Sequence, residues 1–145
     1  MNRGDIQARW EAAYRACEYA VLLPGGELML RPGIADAAND ARLAAEAGIL
    51  RHWAVITPCN PGSRRLDAAA NAARLEQMRA WLIGHGCRYV RALNRDPAGN
   101  WPDEPGFLLC DPAIGMPREL AKRYGQNAFL AGRFGAAPAL IWLAG

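Results

Sequence analysis

The sequence predicts one α/β (α+β) domain: a mixed, largely antiparallel sheet of about six to seven strands with three to four helices packed on it. Three observations lead there. The chain has 145 residues, a usual length for a single domain. Short apolar runs bounded by Pro and Gly alternate with longer runs of helical period. Connections of hairpin length outnumber crossovers, which favours antiparallel pairing. No internal repeat, low-complexity tract or linker divides the chain.

The elements follow in order. Residues 5–16 carry Ile6, Trp10, Ala13 and Tyr14 at helical spacing and predict an amphipathic helix. Residues 18–23 and 27–31 are two apolar runs around Pro24-Gly25-Gly26 and read as a β-hairpin. Residues 35–48 are alanine-rich, with Gly48 placed where a helix stops. Trp53 to Thr57 is apolar on both faces, as a central strand of a doubly covered sheet should be. Residues 66–83 give the strongest helix, with Leu75, Met78 and Leu82 as its stripe and Ser63 as a candidate cap of the helix or of its leading turn. Residues 87–93 alternate as a half-buried strand, and Asp96 to Asn100 is turn chemistry. A strand at 107–110, a short helix near 117–124 and a closing pair of strands at 127–132 and 139–143 complete the pattern.

Composition narrows the function classes. The apolar fraction is 52% and the charged fraction 21%, which is the profile of an ordinary globular protein. Of the 17 basic residues 16 are arginine, and they are scattered without a block of like charge. Nucleic-acid binding is therefore not indicated. Cys17, Cys59, Cys87 and Cys110 form no C-x-x-C pair and the chain has two histidines, so a structural zinc site is not expected. Neither a signal peptide nor a membrane span is visible, and a cytoplasmic setting with reduced thiols is the expectation. The phosphate-cradling loop, the dinucleotide fingerprint, the nucleophile elbow and the H-E-x-x-H pair are all missing, and no cofactor is expected.

Three segments carry the candidate chemistry. In the first, Thr57, Asn60 and Ser63 surround two fixed prolines just before a helix start, whose free N–H groups and the adjacent Arg64 and Arg65 suit an anion. Turn chemistry alone also explains Asn60-Pro61 and Gly62-Ser63. Asn71 and Arg74 share one face of the following helix and can reach the same pocket or form its solvated shoulder. In the second, Trp101 to Gly106, Glu104 is a candidate acid/base group or a partner that orients Arg74. The alternative has Trp101 plugging the core while Asp103 and Glu104 face water. In the third, Gln126 and Asn127 follow Gly125 and either knit the backbone or read a ligand edge.

Together these segments resemble a family of small bacterial proteins catalogued as domain of unknown function 3293. The pattern reads Tyr14-x-x-x-Glu18-Tyr19, Trp53-Ala54-x-Ile56-Thr57-x-x-Asn60-Pro61-x-Ser63, Asn71-x-x-Arg74, Trp101-Pro102-x-Glu104-x-x-Phe107 and Gly125-Gln126-Asn127-Ala128. Cys59 stands where a larger or polar residue is expected, and Gly106 where a serine is expected. The resemblance carries no assigned activity; it implies that these polar residues belong together and can line one cleft.

Three functions stay open on these grounds. The preferred reading is a binding module whose polar cleft holds a small anionic or nucleotide-like ligand. An enzyme would use Glu104 as general acid/base and Arg74 to stabilise charge. An accessory domain for protein or nucleic-acid partners would present Trp101 and nearby arginines as a surface. Oligomeric state is not legible.

Overall fold

A computed structural model describes residues 2–143. Its elements are α1 (Arg3–Ala16), β1 (Glu18–Leu23), β2 (Gly26–Leu30), α2 (Ala37–Ala47), β3 (His52–Ile56), α3 (Ala68–Gly84), β4 (Tyr89–Arg95), β5 (Glu104–Cys110), α4 (Met116–Arg123), β6 (Ala128–Arg133) and β7 (Ala139–Trp142). A 3-10 turn at Pro61–Ser63 precedes α3. The seven strands form one sheet in the order β2-β1-β4-β5-β3-β6-β7. The sheet expected to be mixed and largely antiparallel is antiparallel at every described pairing.

Strand β3 lies between β5 and β6, and four of its five residues are buried, as its unbroken apolar run requires. Its register opposes Trp53 to Gly132, and a Cβ at Gly132 would lie 2.1 Å from the Trp53 ring. Glycine there lets the indole lie across the neighbouring strand.

The sheet has a core on each face. On one side Val21, Leu28, Leu43, Val55, Leu108 and Leu130 pack together under α2. On the other, Ile56, Met78, Leu82, Phe107, Leu109 and Leu120 pack under α3 and α4. Truncating one of these fully buried leucines to alanine costs about 2–5 kcal/mol in comparable cores. Helix α1 differs from the rest, for none of its residues is buried. It lies over the first face near the start of β1 and is anchored chiefly through Tyr14, whose ring stacks on Trp142 at 4.9 Å.

Local chemistry sets the helix ends. Asn2, Asp36 and Asp67 cap α1, α2 and α3 through their side chains, and Gly48 ends α2 at φ 68°. Ser63 is not the cap of α3. It lies in the preceding turn at φ 59°, and the chain needs four more residues before helical geometry begins.

Candidate ligand-binding site

Thr57 continues β3 beyond its last paired residue. Its hydroxyl donates to the Pro105 carbonyl at 2.8 Å and accepts from the Cys59 N–H at 3.1 Å, folding the chain back toward β5. Asn60 follows in the left-handed region at φ 50°, a conformation asparagine tolerates better than most residues. It is 3% exposed. Its backbone N–H donates to Asn71 Oδ1 at 3.0 Å, and its own Oδ1 accepts from Asn71 Nδ2 and the Leu66 N–H, both at 2.9 Å. Its Nδ2 donates to Glu104 Oε2 at 2.7 Å. A buried amide so fully used fixes a loop.

Glu104 opens β5, paired with Asn94 of β4, instead of standing in a loop before the strand. Its Oε2 also accepts from Trp101 Nε1 at 3.0 Å. Burial pushes the carboxyl above its ordinary range, and the two hydrogen bonds only partly offset that. Oε1 accepts no hydrogen bond among the described residues and is not sealed from the space around it. It therefore remains an available acceptor.

That space is a cavity of about 550 Å³ between α1 and the sheet. It lies at the end of the sheet where β3 and β4 finish and β1, β5 and β6 begin. Thr57, Asn60, Ser63, Trp101, Glu104 and Gln126 all line it. Gln126 Nε2 donates to the carbonyls of Cys59 and Tyr124 at 3.1 and 3.3 Å. Its amide thus knits two loops while still bordering the cavity.

The remaining predicted residues are placed elsewhere. Asn71 spends both ends of its amide on Asn60. Arg74 donates from Nε to the Pro58 carbonyl at 2.7 Å and from Nη2 to the Tyr124 carbonyl, with its guanidinium 5.3 Å from the Tyr124 ring centre. Arg74 thus ties the β3–α3 loop to the end of α4, and the expected pairing with Glu104 does not form. Arg64 is exposed and outside the lining. Asn127 also lies outside the lining, donating to Ser63 Oγ at 3.1 Å and to the Tyr14 hydroxyl at 3.3 Å.

Several lining residues escaped the sequence reading. Trp10, Tyr14 and Cys17 supply the helical wall, and Tyr19 and Asn94 part of the floor and rim. The Tyr14 hydroxyl meets Ser63 Oγ at 2.7 Å, and Tyr19 donates to the Tyr14 carbonyl at 2.6 Å. Burial raises the acid range of both phenols and pushes the Cys17 thiol up to about 12, so this thiol stays protonated and non-nucleophilic at neutral pH. The Tyr14-x-x-x-Glu18-Tyr19 motif was the available signal for the two tyrosines. Nothing in local pattern marks Trp10 apart from an ordinary helix stripe.

The sequence pattern of the family described as Protein of unknown function (DUF3293) matches residues 56–129. The chain belongs to this family. No curated protein and no solved structure matches it. The DUF3293 segment runs from the last residue of β3 to the second of β6. It holds the Asn60–Glu104–Trp101 cluster, whereas Trp10, Tyr14 and Tyr19 lie before it. Among the described residues of this DUF3293 protein, no three His, Cys, Asp or Glu side chains group to hold a metal ion. No described helix is long and apolar enough to cross a membrane.

Proposed function

We propose that the protein is a binding module for a small organic molecule, held in the cavity under α1. The observation that carries this reading is the unpaired oxygen of Glu104 at the edge of a partly open cavity of about 550 Å³ with largely apolar walls. Ligand sites commonly have this size and this balance of apolar wall to a few fixed polar groups. The four cysteines are free, which fits a reducing, cytoplasmic setting.

The nature of the ligand departs from the anion expected from sequence. That expectation leaned on a helix start with Arg64 and Arg65 beside it and on Arg74 in the cleft, and none of these guanidiniums borders the cavity. Arg74 as a stabiliser of charge in catalysis loses support for the same reason, its Nε and Nη2 donating to backbone carbonyls away from the cavity. Cys17, held protonated, offers no alternative nucleophile. Recognition without chemistry is the simplest role for this set of groups.

A thermal-shift screen with a diverse panel of small organic molecules tests the reading, comparing wild type with Ala128→Phe, which adds a ring to the lining. A compound that raises the melting temperature of the wild type in a saturable way and leaves Ala128→Phe unmoved supports it. Equal shifts in both proteins, or none across the panel, overturn it.

A further inference from the structure

We propose that the cavity selects an organic cation, an ammonium group carried on an apolar or aromatic body, with the ammonium against Glu104 Oε1 and the body among the aromatic walls. The inference rests on the reading of the cavity as a ligand site and names the class of ligand.

The charge distribution is the first support. The chain carries 17 basic residues and a net charge of +3. Yet the lining contains Glu104 and Asp96 and, among the described residues, not one Arg, Lys or His. Asp96 spends both carboxylate oxygens on the backbone N–H groups of Ala98 and Asn100, so it contributes field and no open contact. Of the two carboxylates, Glu104 is the one with an oxygen free of hydrogen bonds among the described residues. Its burial disfavours the ionised form, so an ammonium partner would recover part of what desolvation costs.

The walls are the second support. Trp10, Tyr14, Tyr19 and Trp101 border the space, and the electron-rich faces of such rings attract cations. The hydroxyls of Tyr14 and Tyr19 are already engaged, leaving their rings as the surface on offer. Trp101 is fixed beside the carboxylate by its own N–H. Arg65 already holds a guanidinium 5.4 Å from the centre of that indole, from an exposed position outside the lining. The indole thus already serves as a cation's partner here. Neither a carboxylate nor a phosphate finds a cationic donor inside the cavity.

The test uses matched sets: 2-phenylethylamine, tryptamine and benzyltrimethylammonium, each beside the alcohol and the carboxylate of the same skeleton. Binding is measured by calorimetry near neutral pH with wild type, Glu104→Gln and Ala128→Phe, each checked for folding by circular dichroism. The expected result is that at least one ammonium binds wild type about tenfold or more tightly than its alcohol, a difference near 1.4 kcal/mol. Glu104→Gln should then bring ammonium and alcohol within about twofold of one another while keeping the alcohol's affinity. Alcohols or carboxylates that match or exceed the ammoniums, with binding lost in Ala128→Phe, overturn the cation assignment and leave the ligand site standing. An ammonium preference that survives Glu104→Gln also overturns it. No binding by any compound, here and in the broader screen, removes both.

Discussion

At the scale of single residues, polar side chains of similar appearance divide into those that hold the loop and those that remain available. Asn60, Asn71 and Arg74 looked equivalent to Glu104 in sequence, because all are polar residues in or near apolar surroundings. The difference lies in what their atoms already touch. Asn60 and Asn71 exchange hydrogen bonds with each other, and Arg74 donates to two carbonyls, whereas Glu104 retains an unused oxygen. Glu104 also has a signature in stability. Burial raises its carboxyl above the unfolded value. A carboxyl shifted that way contributes fully below the unfolded pKa and loses its contribution as pH rises through the folded one. Glutamine can accept from Asn60 and Trp101 through its single oxygen and carries no charge. Glu104→Gln should therefore melt above wild type at about pH 8, and the gap should close on descending to about pH 4. Melting curves across a pH series check this, and a gap that widens in acid refutes it.

At the scale of elements, most of the fold was legible, since apolar period and turn residues report directly on local structure. The hairpin β1–β2, the αL stop at Gly48 and the buried run of β3 all follow from short windows of sequence. The start of β5 did not, because Pro102 and Pro105 read as loop. Pro105 is accommodated because its carbonyl receives the Thr57 hydroxyl where the β3 ladder has not yet begun, at a register that starts with Phe107. The start of α3 was also misplaced: Ser63 has cap chemistry, but Asp67 performs the capping, accepting from the Ala70 N–H at 2.7 Å. Asp67→Ala should cost about 1 kcal/mol through loss of that cap. Ser63→Ala should act instead by freeing Tyr14 and Asn127, loosening α1 while leaving α3 intact. Denaturant titration combined with amide exchange separates the two, and exchange at the start of α3 that quickens only in Ser63→Ala would reverse the assignment.

At the scale of the whole molecule, the site was only half legible. The polar cluster and Trp101 fall within one matched segment, but the rings of Trp10, Tyr14 and Tyr19 come from α1 and β1, and contacts between distant segments leave no periodic trace. The same geometry shows that the matched segment is not a folding unit. Residues 56–129 keep β4 and β5 but lack β1 and nearly all of β3, the strands that flank them. A 56–129 fragment should give no cooperative thermal transition by circular dichroism, whereas the full chain should; a cooperative transition in the fragment would contradict this. The contact between Asn127 and Tyr14 joins positions 113 residues apart and ties α1, one wall of the cavity, to the start of β6. Closing so long a loop costs entropy, which predicts that α1 docks after the folding transition state. A molecule that occupies the cavity should then slow unfolding and leave the refolding rate unchanged, which stopped-flow unfolding and refolding with and without it checks.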